Sequence, residues 1–235
     1  MGLFDRPFET ATQFREDCLR NRSAKIFQAD NFDEWSEAND LVLAGDLALE
    51  LGNPRDGSLL SLMWSETAVT DGRIVTVGPT TFAEGVNAPL YQVYFLCAQF
   101  DDEYEASCAL KDAVHETTLR GVTARAMPSR QTLWLRIDRD ALTHDFTPVQ
   151  WSAEIIWRLR DVPGVVGVES LIITDPSIDL APLLRAAEET GRLVGAMNKM
   201  REEMSYDCDS CEYWDVCATV EQLKAQRAKL AGSKS

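Results

Sequence analysis

The sequence has few basic side chains and only two histidines in its 235 residues. Lysine and arginine together number 23, against 38 aspartates and glutamates, which gives a formal net charge of −15. Because nucleic-acid binding needs a basic surface, this balance argues against a nucleic-acid partner. It argues against an anionic membrane surface for the same reason.

Long apolar runs are also missing. No run approaches the roughly 18 residues that a membrane-spanning helix needs. The first residues lack the basic region followed by an apolar stretch that marks a secretory signal, so we expect a cytoplasmic protein. The hydrophobic fraction of 45% is nevertheless sufficient for a globular core.

The order of the predicted elements indicates an α+β fold. Apolar or alternating segments predict strands over residues 40–51, 58–66, 74–77, 90–100, 130–137 and 165–174. The turn signal over residues 70–73 predicts that the second and third of these strands form a hairpin. Apolar periodicity predicts helices over residues 101–124, 148–160 and 178–205. Since strands and helices alternate irregularly, we expect a mixed β-sheet with flanking helices.

Three regions are expected along the chain. Residues 1–38 spread aromatic side chains among charges and are interpreted as an N-terminal helical arm, with a short helical turn that carries Trp35. Residues 39–205 are expected to form the α+β domain. Residues 206–235 hold a cysteine loop, which follows the long helix, and a basic, alanine-rich helix.

Half of the six cysteines fall close together near the C-terminus. Cys208, Cys211 and Cys217 have the spacing C-x2-C-x5-C. The tight turn within a C-x2-C pair places two thiolates on one metal. Three thiolates and one further ligand satisfy either tetrahedral zinc or a 4Fe–4S cluster. Such clustering indicates metal ligation rather than cross-linking by disulfides.

Carboxylates surround this motif and bear on its chemistry. Six acidic residues and one arginine lie between residues 201 and 217. Carboxylates disfavour further negative charge beside them, so free reactive thiolates are not expected there. A bound cation or cluster would supply the missing positive charge. The preferred interpretation is one 4Fe–4S cluster; structural zinc, or three reduced cysteines without metal, are the alternatives.

The fourth ligand is the open question at this site. No cysteine or histidine follows Cys217, so we expect the ligand from a partner chain or a bound small molecule, and less from Cys18 or Cys108. Cys97 lies in an apolar strand and is expected in the core.

Four segments resemble one known family in their order along the chain. They are Glu50-Leu-Gly-Asn-Pro with the strand up to Trp64, the run from Asp71 to Pro79, the run from Arg130 to Ile137, and the pair Cys208-x2-Cys211. In this order they resemble the middle domain and the start of the cluster-binding region of CO-methylating acetyl-CoA synthase. That enzyme is the β subunit of the CO dehydrogenase/acetyl-CoA synthase complex. The resemblance covers roughly residues 40–217.

The resemblance implies Cys208, Cys211 and Cys217 as ligands of the cluster, with Cys211 at the position of the family cysteine that bridges to nickel. The family has a longer gap to its third cysteine, then a fourth, and a C-terminal nickel-site domain that this sequence lacks. We therefore expect a subunit of a larger, oligomeric enzyme complex rather than a stand-alone acetyl-CoA synthase. A non-catalytic assembly or binding module is the alternative.

One strand face is the second candidate site. Arg130, Thr132, Trp134 and Arg136 alternate with apolar residues, so they point to one side of a strand. Two guanidinium groups beside an indole could hold phosphates and stack on a ring. In the family this domain is associated with coenzyme A, which implies Arg130, Trp134 and Arg136 as possible ligand-binding residues. The alternative is that the arginines pair with surplus carboxylates.

Overall fold

A computed structural model describes residues 2–21, 24–38 and 41–204. The described chain has an α+β fold with two β-sheets, each of which contains parallel and antiparallel pairs, and with flanking helices. The strands are β1 (Lys25–Gln28), β2 (Leu47–Leu51), β3 (Ser58–Ser65), β4 (Arg73–Val77), β5 (Asn87–Ala88), β6 (Leu90–Ala98), β7 (Val122–Met127), β8 (Thr132–Asp138) and β9 (Val165–Ile173). The α-helices are α1 (Asp5–Asn21), α2 (Glu103–His115), α3 (Arg139–Thr143), α4 (Pro148–Arg160) and α5 (Ala181–Met204).

The chain divides into two compact units. The first covers residues 1–194 and contains both sheets. The second begins at Gly195, and its described part is the end of α5. The proposed region boundaries at residues 38 and 205 stay predictions.

The larger sheet has five strands in the order β1-β4-β9-β6-β3. Its central strand β9 runs parallel to β4 and antiparallel to β6, while β6 runs parallel to β3. The predicted hairpin of β3 with β4 is therefore wrong, because two strands separate them. The turn itself exists, with Arg73 N bonded to Thr70 O at 3.1 Å, but it leads the chain across the sheet rather than back along β3.

The smaller sheet has the order β5-β2-β8-β7. β8 lies between β2 and β7 and is antiparallel to both. Leu133, Leu135 and Ile137 are fully buried on its inner face, which confirms the alternation predicted for this strand. The two sheets are joined where Ser58 Oγ donates to Leu133 O at 2.6 Å and accepts from Leu133 N at 2.8 Å.

Another prediction fails between residues 101 and 124, where one helix was expected. α2 ends at His115, and β7 begins at Val122 after a turn in which Gly121 has a φ of 73°. Residues other than glycine rarely adopt such a φ. Gly121 therefore allows a turn at this point, and the helix does not continue to residue 124. Residues 33–38 likewise have no regular secondary structure, although a helical turn was predicted there.

The helices predicted over residues 148–160 and 178–205 are confirmed, whereas the helix predicted within residues 206–235 lies outside the described residues. α4 starts at Pro148, and the Thr147 hydroxyl caps it by accepting from Gln150 N at 3.1 Å. α5 follows the predicted apolar stripe. None of the helices in the described ranges is long and apolar enough to cross a membrane.

One core packs helix side chains against the five-stranded sheet. Phe8, Ala11 and Cys18 of α1, with Leu183 and Ala187 of α5, are buried there among strand residues. Their burial ties α1 to the sheet through apolar contact, the main favourable contribution to folding. The arm predicted for residues 1–38 thus includes a helix that contributes to this core.

A buried ionic network lies beside that core. Glu169, in the middle of β9, is fully buried, and its carboxylate contacts Arg15 Nη1 at 2.8 Å and Arg73 Nε at 2.6 Å. The Arg15 guanidinium also lies 4.9 Å from the centre of the Phe95 ring. A buried charge is tolerated only when it is paired, and the two arginines pair with Glu169. The network therefore connects α1, β4 and β9.

Candidate functional site

The three predicted metal ligands Cys208, Cys211 and Cys217 lie outside the described residues. The last described residue, Met204 at the end of α5, precedes Cys208 by three intervening residues in the sequence. As a donor set, three thiolates at this spacing suit three of the four ligand positions of a 4Fe–4S cluster, and they also suit zinc. The chemistry of the donors therefore fits the predicted group, with one position left for another ligand.

The remaining cysteines all belong to the folded unit. Cys18 is 2% exposed and lies in the core between α1 and the sheet. Cys97 is half-buried near the end of β6, where its Sγ donates to the backbone oxygen of Glu66 at 3.7 Å. Its predicted place in the core is therefore wrong, because the strand reaches the sheet margin there. Cys108 is half-buried on α2. Within residues 2–21, 24–38 and 41–204, no group of three histidine, cysteine or acidic side chains is arranged to hold a metal ion.

The second candidate site is the outer face of the smaller sheet, and the structure brings only part of it together. Trp134 and Arg136 are half-buried on that face of β8, while Arg130 is exposed in the 3₁₀ turn that connects β7 to β8. Arg136 Nε lies 3.4 Å from Glu50 Oε1 on β2, so its charge is already paired. This pairing matches the alternative expected for the arginines.

Arg125, which was not predicted from the sequence, lies directly opposite Trp134 in the sheet. Its guanidinium lies 5.2 Å from the centre of the indole ring, within the range of a cation–π contact. Met127 lies opposite Thr132 on the same face and is 39% exposed. We call Arg125, Met127, Thr132 and Trp134, together with Arg130 in the turn, the arginine face.

Gln131 is a second residue that sequence reasoning missed. It adopts a left-handed conformation with a φ of 54°, and its side-chain amide donates to the backbone oxygen of Ala187 in α5. A Cβ at Gly191 would lie 3.1 Å from Gln131 Nε2, so a glycine lets the helix approach this amide closely. Gln131 therefore anchors the first half of the helix that leads toward the cysteine motif.

A cavity of about 360 Å³ lies elsewhere, at the segment 33–38. Its lining consists of Glu34, Trp35, Ser36, Arg120, Asp140, Ala141 and His144. Asp140 is the centre of its polar contacts, since Arg120 Nη2 lies 3.7 Å from Asp140 Oδ2 and His144 Nδ1 lies 2.8 Å from the Asp140 backbone oxygen. Groups that already pair have little charge left for a ligand.

A buried carboxyl holds this segment in place. Glu154 of α4 accepts a hydrogen bond from Trp35 N at 2.7 Å and another from Gln150 Nε2 at 3.1 Å. Desolvation raises the pKa of Glu154, and the two hydrogen bonds oppose that shift. The group acts as a structural acceptor for residues 33–36.

No family model matches the sequence, and no curated protein matches it significantly. The residues and the chemistry of the two candidate sites are therefore what indicates a function.

Proposed function

We propose that the chain is the iron–sulfur subunit of a larger enzyme complex and binds one 4Fe–4S cluster through Cys208, Cys211 and Cys217. The observation that carries the proposal is the C-x2-C-x5-C spacing, which offers three thiolates within one short segment. The acidic residues around the motif support a bound group of opposite charge, since they disfavour free thiolates. The resemblance to acetyl-CoA synthase supports the same assignment. The cluster would serve electron transfer or substrate ligation.

The burial of Cys18 supports an external fourth ligand. Cys18 is packed with Phe8 and Ala11 against the five-stranded sheet. Its side chain is 2% exposed, so a cluster could approach the thiol only by displacing the packing around α1, which would expose several apolar side chains. A ligand from a partner chain or from a bound small molecule involves no such loss. An incomplete ligand set of this kind is what a subunit of a complex would have.

The proposal includes a cytoplasmic location, where cysteines remain reduced and available for metal ligation. Coenzyme A binding at Arg130, Trp134 and Arg136 stays a prediction from the resemblance.

The test is the metal content of the full chain purified without oxygen. We expect iron and acid-labile sulfide, with the visible absorption of thiolate–iron charge transfer. Cys211→Ala should lose most of the iron, whereas Cys97→Ala on β6, which is not a candidate ligand, is the matched control and should keep it. A colourless protein with one zinc per chain would instead support the structural-zinc alternative. Retention of full iron by Cys211→Ala would contradict the ligand assignment.

A further inference from the structure

The hairpin that carries the arginine face differs in charge from the rest of the molecule. Residues 117–137 contain four arginines and no acidic residue, in a chain whose net charge is −15. These arginines are Arg120, Arg125, Arg130 and Arg136. A concentrated positive surface on an acidic protein attracts negatively charged groups.

Two of these arginines have no partner charge. Arg136 pairs with Glu50 and Arg120 lies near Asp140, but Arg125 and Arg130 make no ion pair within the part of the chain that the structure describes. Both are exposed, and Arg125 is held in place against the ring of Trp134. A guanidinium already ordered by stacking loses less freedom when it binds an anion.

The same face contains polar atoms that lack a partner. Trp134 Nε1 and Thr132 Oγ1 are buried, and neither makes a hydrogen bond to any described residue. Buried polar atoms are satisfied in the great majority of native structures, so each such atom needs an explanation. Both atoms are shielded from solvent, so a partner that binds Arg125 and Arg130 would reach them only after a side-chain rearrangement.

We propose that the arginine face is the docking surface for an acidic segment of a partner protein. This proposal rests on the proposed function in one respect: it assumes that the chain is a subunit of a complex. Carboxylates match the unpaired guanidinium groups of Arg125 and Arg130, and a carboxylate bound to Arg125 would lie close to the Trp134 ring that this arginine contacts. Tryptophan, arginine and methionine are also the side chains enriched in the energetically dominant parts of protein interfaces.

The experiment uses the full chain, labelled with ¹⁵N, and follows the Trp134 indole N–H signal, assigned by its loss in Trp134→Phe. The probes are a synthetic glutamate-rich peptide and its glutamine analogue of equal length. We expect the glutamate peptide to shift the Trp134 signal in a saturable way that weakens with added salt, and the glutamine peptide to leave it unchanged. Arg125→Gln combined with Arg130→Gln should weaken binding about tenfold or more, since two charge-assisted contacts are lost.

The control variant is Arg20→Gln combined with Arg55→Gln, two exposed arginines outside residues 117–137. It removes the same charge and should bind the glutamate peptide within about twofold of the unaltered protein, because distant surface charges are screened. Equal weakening in the control would show a net-charge effect and overturn the proposal. A Trp134 shift with coenzyme A or ATP but not with the peptide would assign the face to a phosphorylated small molecule and overturn it. Absence of any shift would overturn it too. The metal content of the chain does not enter this measurement, so the proposed cluster and the docking surface can fail separately.

Discussion

Replacing Glu169 by glutamine is expected to destabilise the fold strongly. The change keeps the size of the side chain and one acceptor oxygen, but it removes the fully buried carboxylate that contacts Arg15. The Arg15 side chain is 7% exposed and keeps only the solvent-exposed carboxylate of Glu16 as a partner. Removing one partner of a buried ion pair costs about 3–5 kcal/mol of unfolding free energy. Arg73 is 21% exposed and can recover water contacts. We therefore expect a loss of about 3 kcal/mol, near the lower end of that range.

The assay is urea unfolding of the full chain, in which the midpoint should fall while the slope with denaturant stays constant. Arg15→Met provides a second measurement, because it removes the other partner of the same contact. If the two groups interact directly, the double variant should lose less stability than the sum of the single variants. Arg20→Met is the control, since the Arg20–Asp17 pair is exposed and should change stability by less than about 0.5 kcal/mol. A loss below about 1 kcal/mol for Glu169→Gln, or additive single variants, would refute the reasoning.

Three further outcomes follow from local geometry. Burial raises the pKa of Glu154 above its ordinary value of 4.5, so the protonated carboxyl favours the folded state at low pH and this stabilisation is lost as the pH rises through the higher folded pKa. The urea midpoint should therefore contain a contribution that declines between about pH 4 and 7, and Glu154→Gln should remove it. Gly52→Ala should lower the unfolding free energy by about 2 kcal/mol or more, because φ is 70° and the new Cβ would lie 2.2 Å from Leu133 O. Gly45→Ala is the control: its Cβ would meet no atom within 4 Å, so it should not lower the unfolding free energy in this way. Thr147→Ala should cost about 1 kcal/mol in thermal or urea unfolding through loss of the α4 cap, and an unchanged midpoint would contradict that role.

Local signals were sufficient for several elements of the fold. The alternation along β8 predicted both its strand and its buried face, and the Thr147–Pro148 pair predicted the first turn of α4. These signals succeed because the partners that matter lie within a few residues. The turn near Asp71 was also recognised, but the pairing of the strands on either side of it was not. β3 and β4 are buried on both faces, and the sequence of such a strand does not indicate which strand pairs with it.

Long-range contacts account for what the sequence could not predict. Arg125 contacts Trp134 only because β7 pairs with β8 in one particular register, and register is fixed by the fold as a whole. Arg15 and Glu169 are separated by most of the chain, so the position of Glu169 within the apolar run of β9 did not indicate that Arg15 would be its partner. For the cysteine motif the evidence remains its spacing, because its residues lie outside the described ranges.

The position of β9 along the chain has a consequence for biosynthesis. This strand is synthesised last of the nine that the structure describes, yet it occupies the centre of the larger sheet between β4 and β6. Until residue 173 has emerged from the ribosome, β4 and β6 each present an open, apolar edge to other chains. We expect ribosome-bound chains that stop before β9 to aggregate or to recruit chaperones, and chains extended past α5 to become protease-resistant in one step.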